Sequence, residues 1–91
     1  MEFEASQVNA FLRLFEVSSP RIRAFPGVGR LELHRDAAQE NVFYTLSEWD
    51  NEGHLEAYRQ SELFNSVWSQ TKAMFAGKPQ AFSMVPWMRV R

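Results

Sequence analysis

Trp49, Tyr58, Phe64 and Trp68 are the residues of this 91-residue chain whose types and spacing best suit chemistry. Trp49 ends an apolar run and sits where the chain must turn. Such corners often face a cleft, so Trp49 is a candidate stacking wall for a flat aromatic molecule, or else a core tryptophan whose indole N–H finds a local acceptor. Tyr58, Phe64 and Trp68 follow at helical spacing and would form the opposite wall, with the Tyr58 phenol as a hydrogen-bond donor. The plain alternative is an ordinary helix-to-sheet core. His54 lies one helical turn before Tyr58 and is the nearby group whose unperturbed pKa suits proton abstraction near neutral pH. As candidate catalytic residues we take His54 and Tyr58; as candidate substrate-binding residues, Trp49, Tyr58, Phe64 and Trp68. His54 could equally be a solvated helix-surface residue.

Other chemistries find little support in the residues. His34 alternates with Leu31 and Leu33 and so points away from their face, as a sheet-face or interface residue. Two lone histidines without paired carboxylates at ligand spacing make no metal site. There is no cysteine, hence no thiolate ligand, cysteine nucleophile or disulfide framework. Neither a serine triad pattern nor a glycine-rich phosphate loop occurs. Arg35 and Arg59 read as surface or dimer-contact charges, and Glu48 as a solvated strand-end carboxylate. The formal net charge is -1, with no block of like charge. That argues against a nucleic-acid or anionic-membrane surface, either of which needs a clustered basic face. No apolar run approaches the ~18 residues of a membrane span, and the N-terminus lacks a signal-peptide pattern, so a cytoplasmic protein is expected.

These residues need elements to hold them. Apolar positions Val8, Phe11, Leu12, Phe15, Ile22 and Phe25 keep helical spacing, interrupted at Ser18-Ser19-Pro20. One kinked helix, or two abutting ones, should run to Phe25 and stop at Pro26-Gly27. Residues 28–35 alternate as a half-buried strand, and 36–41 connect it to a second strand over 42–49. Bulk on both faces of that second strand predicts helices on one side and further cover on the other. Asp50 is expected to cap a short helix carrying Leu55 and Tyr58. Ser61 should cap another with Phe64, Val67, Trp68, Thr71 and Phe75 on one stripe. Residues 80–85 are expected to form a last strand, broken or bent by Pro86.

The order helix, strand, strand, helix, strand predicts one α+β domain over residues 1–91: a ferredoxin-like antiparallel sheet with helices on one face. Its opening strand is reduced to Met1-Glu2-Phe3. Residues 86–91 are expected either to add a strand or to fill that first position, in their own subunit or by exchange with a partner. The plain alternative is a frayed tail beside a short first strand. At this length a chain buries only about 60–65% of its unfolded surface, and aromatics make up 14% of it, so a partner subunit is plausible.

FPG after the first helix, LELHRD on the next strand, SEW ending the central strand, then AYRQSELF and a later Trp together resemble the antibiotic biosynthesis monooxygenase superfamily. The resemblance implies a dimeric α/β barrel, a homodimer with a pocket between helices and sheet in each subunit. It also implies oxidation of phenolic, polyketide-like molecules by O2 without a cofactor, or, in another branch, oxidative heme degradation. Laid on that branch by the Ser61 and Phe64 anchor, Tyr58 falls at its tryptophan position and Trp68 at its histidine position. With no axial histidine there, the resemblance argues against heme, and no cofactor is expected. Two functions follow as expectations: a cofactor-independent monooxygenase acting on a small aromatic substrate, or a non-catalytic dimeric small-ligand-binding or stress-associated protein.

Overall fold

A computed structural model describes residues 1–90. A 3-10 turn over Ala5–Gln7 leads into α1 (Val8–Arg23), followed by β1 (Val28–Arg35), β2 (Phe43–Trp49), α2 (Glu52–Arg59) and α3 (Glu62–Lys72). Helix α1 runs unbroken through Pro20. A proline there cannot donate to the Glu16 carbonyl four residues back. The Ser19 hydroxyl donates to that carbonyl instead, at 3.4 Å. The helix ends at Arg23, two residues short of Phe25, and Gly27 turns the chain with φ +89°.

β1 and β2 pair antiparallel, with His34 opposite Tyr44, Leu33 opposite Thr45 and Arg30 opposite Glu48; the register slips between Val28 and Arg30. The N-terminal residues and the stretch after α3 extend this ribbon. Glu2 bridges Val42, and Phe3 bridges Phe75. The amides of Phe3 and Phe43 donate to Asn41 and Met1, both at 2.9 Å, and those of Glu4 and Ala76 to Met74 and Glu2, at 2.9 and 2.8 Å. The sheet therefore reads β1, β2, the N-terminal residues, then the stretch after α3, which is the ferredoxin-like order with its first and last strands shortened to bridges.

The first-strand position holds Met1–Phe3 themselves, the short first strand of the plain alternative, whose backbone groups bond on both sides. One expectation changes. The expected strand over 80–85 is absent in this chain: the last sheet position is taken by Phe75, and residues 78–90 carry no secondary structure. Of the 86–91 segment, Arg91 lies outside the described residues.

The core is built from rings. Phe3 is fully buried, with Phe11 and Phe43 nearly so, and Phe15, Leu33, Met74 and Phe75 pack around them. Phe3 and Phe11 stack at 4.1 Å between centroids. The face of the sheet turned from the helices carries Arg30, Glu32, His34, Tyr44 and Glu48. Arg30 pairs there with Glu32 at 3.3 Å and with Glu48 at 3.4 Å, and His34 Nε2 meets Glu32 at 2.8 Å. Glu48 thus stands solvated as expected, and His34 lies on the sheet face away from Leu31 and Leu33.

Candidate functional site

The corner after β2 is where the candidate residues converge. Trp49 ends β2, and the next amide, that of Asp50, donates to the Gly27 carbonyl at 2.8 Å. Asp50 thereby closes the sheet and is not the helix cap. Asn51 is: its side-chain oxygen accepts from the His54 amide at 3.0 Å, satisfying one of the free donors of the first turn of α2. The second cap is Ser61, as expected. Its hydroxyl donates to the Tyr58 carbonyl at 2.6 Å and accepts from the Phe64 amide at 3.1 Å. One side chain thus ends α2, starts α3, and sets Tyr58 relative to Phe64.

All four candidate aromatic residues come together, each half-buried. Trp49 stacks on Tyr58 at 5.1 Å, Tyr58 meets Phe64 edge-on at 5.2 Å, and Phe64 stacks on Trp68 at 6.1 Å. Trp68 continues to Phe75 at 5.6 Å, and Phe75 to Phe3 at 5.2 Å, so the row joins the core. These spacings are those of rings in direct contact. No guest ring fits between Trp49 and Tyr58, so the two form one wall and not two facing ones. The Trp49 indole N–H donates to the Ser47 hydroxyl at 3.0 Å.

Phe25 belongs to the same wall and was not foreseen as a site residue. Its ring lies edge-on to Tyr58 at 5.3 Å and to Trp49 at 6.5 Å. The available signal was the Pro26-Gly27 turn, which brings the end of α1 back against the end of β2. Gly27 also receives the His54 ring: a Cβ at Gly27 would collide with it. His54 is therefore held against the turn, half-buried, on the same side of α2 as Tyr58 four residues later.

Burial raises the Tyr58 pKa above its ordinary value. The phenol is neutral at physiological pH. A second perturbed pair lies away from the wall. Tyr44 donates to Asp36 at 2.7 Å, which lowers the Asp36 pKa, helped by the amides of Ala38 and Gln39, and raises that of Tyr44. No group of three or more His, Cys, Asp or Glu side chains placed to hold a metal ion occurs among the described residues, and no helix there is long and apolar enough to cross a membrane. Shallow clefts of about 300 Å³ lie elsewhere: one lined by Ser19, Pro20, Arg23 and Leu31, the other by Val8, Asn9, Arg35 and Glu40 among others.

Comparison with known proteins adds three findings. The sequence model of the family described as antibiotic biosynthesis monooxygenase matches residues 1–67. No curated protein matches the chain. Among solved structures, one described as an antibiotic biosynthesis monooxygenase superposes with a TM-score of 0.82 at 17% identity, covering 93% of this chain and 92% of its own. A conserved protein from Methanosarcina mazei Go1 gives 0.80 at 16% identity, covering 85% and 76%. A Pseudomonas aeruginosa protein gives 0.73 at 21%, covering 93% and 88%. At these identities the likeness concerns the fold.

Proposed function

The chain belongs to the antibiotic biosynthesis monooxygenase family, and on that premise we propose that it oxygenates a small, flat, electron-rich aromatic molecule, such as a phenol or an anthrone, without metal or flavin. In this reading it works as a cytoplasmic homodimer. The observation that carries the reading is the half-buried wall of Phe25, Trp49 and Tyr58 with a neutral phenol in it.

The substrate supplies the electrons. An anthrone CH2 loses one proton, and the carbanion reduces O2, forming a C–O bond. Loss of water from the resulting hydroperoxide leaves a carbonyl, so that CH2 and O2 become C=O and H2O. His54 accepts the first proton. Tyr58 donates a hydrogen bond to the substrate oxygen on which negative charge gathers, an interaction strengthened in a water-poor setting. Trp49 and Phe25 hold the ring plane.

Oxygen consumption with a panel of anthrones and hydroquinones tests this directly. Turnover that survives His54→Ala at full rate removes His54 from the mechanism. Titration with hemin is expected to give no Soret shift. One observation favours a second reading: Trp49, Tyr58, Phe64 and Trp68 already fill one another's contacts. A wall so occupied suits a non-catalytic dimeric protein that binds a small apolar ligand or serves under stress. Ligand-induced tryptophan fluorescence changes without oxygen consumption would establish that reading over the first.

A further inference from the structure

The helices leave part of their side of the sheet open. Alternation along β2 places Thr45 and Ser47 on that face with the buried Phe43 and the half-buried Trp49, yet both are exposed. The partner of Ser47 across the ribbon is Leu31, which lines the cleft of about 300 Å³ formed with Ser19, Pro20 and Arg23 of α1. An open strip therefore runs from that cleft over Leu31 and Ser47 to Trp49. Arg23 stands at the same end of the ribbon. Its Nη1 donates to the Val28 carbonyl at 3.3 Å, and Val28 is the cross-strand partner of Trp49. Two residues further on, Phe25 lies edge-on to Trp49 and Tyr58. The remaining guanidinium donors of Arg23 meet no protein acceptor among the described residues. No carboxylate there pairs with it, whereas Arg30 and Arg59 both have carboxylate partners.

We propose that Arg23 anchors a carboxylate on the flat aromatic molecule that Phe25 and Trp49 hold, so that the preferred ligand is an aromatic acid; taking that ligand as a substrate rests on the oxygenase reading above. Three features select a carboxylate. The guanidinium is planar and presents paired N–H donors that match two carboxylate oxygens. Among the described residues Arg23 is the one cation lining the cleft, and no acid lines it, so a single negative charge is balanced there and a dianion is not. Pro20 and Leu31 give the cleft apolar walls, against which an ion pair is less screened than in open water. The other cleft carries Arg35 but also Glu40, whose charge opposes an anion. Arg35 is moreover opposite Phe43, at the far end of the ribbon from Trp49. In the bound state the ring lies along the open strip against Phe25 and Trp49, and its acid group reaches the Arg23 guanidinium.

The test is calorimetric titration of the full chain with 2-naphthoate and with its uncharged analogue 2-naphthamide, repeated for Arg23→Gln and Arg23→Lys. Arg23 is exposed, so both variants should keep the fold and its far-ultraviolet circular dichroism. The two probes share one ring system, so the ratio of their affinities reports the charge, which a purely structural loss at the end of α1 would not move. The wild type is expected to bind naphthoate about 5-fold tighter, as for a well-made exposed ion pair. In Arg23→Gln the ratio should fall to near one. In Arg23→Lys it should recover in part, because the charge returns without the paired donors. Rising salt should erode the wild-type ratio. A wild type that binds both probes equally, or an Arg23→Gln variant that keeps the ratio, would overturn the proposal. So would a chain that binds neither probe, an outcome that also removes the aromatic wall as a ligand site. Oxygen consumption tests the oxygenase reading apart from this one. An Arg23-dependent preference for naphthoate without turnover of any anthrone or hydroquinone upholds the acid anchor and sinks oxygenation, whereas turnover by a chain indifferent to the probes' charge does the reverse.

Discussion

Trp49 and Tyr58 stack with ring centroids 5.1 Å apart and planes 28° from parallel, tying the end of β2 to the last turn of α2. Tyr58 also touches Phe25 and Phe64. Tyr58→Ala is therefore expected to cost about 2 kcal/mol, below the range for a fully buried ring because this one is half-exposed. Tyr58→Phe keeps the ring and should change stability by no more than about 0.5 kcal/mol, while lowering oxygen consumption about 10-fold or more through loss of the hydrogen bond to the developing oxyanion. Urea denaturation and an oxygen electrode separate the two effects.

Gly27 answers two demands at once, a φ of +89° and the space taken by the His54 ring. Gly27→Ala should destabilise by about 1–3 kcal/mol, the usual cost of a strained backbone position. In the His54→Gly background, which removes the His54 Cβ as well as the ring, the steric part disappears and only the backbone part remains. A double-mutant cycle by thermal denaturation is expected to show that coupling.

Ser61 links the two short helices through its bonds to Tyr58 and Phe64. Ser61→Ala should cost about 1 kcal/mol, as for loss of other helix caps. Because the same hydroxyl sets Tyr58 against Phe64, near-ultraviolet circular dichroism from the aromatic wall should weaken more than the far-ultraviolet helix signal.

Both tyrosines titrate above their ordinary value near 10, Tyr58 through burial and Tyr44 through its bond to Asp36. Phenolate absorbance of the folded protein should rise only above that pH, and Tyr44→Phe isolates the Tyr58 transition. The sign for stability follows. A raised folded pKa means the folded state holds the proton longer, so the Tyr58 contribution is complete below pH 10 and is lost as pH climbs through the folded value.

At the acid end, Asp36 is held below the usual carboxylate range, first by the Tyr44 hydroxyl and then by the amides of Ala38 and Gln39. Its contribution is present above the unfolded value and fades as pH falls through the folded one. Tyr44→Phe should move the Asp36 transition, followed by carboxyl NMR, upward without restoring it fully, since both amides remain.

Much of this organisation is legible in local pattern. The alternation of residues 28–35, the apolar stripes of α1 and α3, and the Pro26-Gly27 stop each reflect spacing that one element imposes on its own residues. Ser61 was readable as a cap for the same reason. Asp50 and Asn51 were not separable, because both are good caps and the choice was made by Asp50 bonding across the turn to Gly27, far away in sequence. The strand expected at 80–85 failed because alternation marks a segment able to pair without naming its partner; in this chain Phe75 takes the place beside Phe3.

Sequence by itself determined the α+β class, the order of elements and the cast of the aromatic wall, since helical and strand periodicity place Trp49, Tyr58, Phe64 and Trp68 on inward faces whatever surrounds them. Only tertiary structure decided how the rings meet. It set Trp49 directly on Tyr58, brought Phe25 to both, and pressed His54 over Gly27. The physical reason is that facing and touching differ. Periodicity assigns a side chain to a face, but the distance between faces depends on turns and packing that join residues nine to thirty-three positions apart.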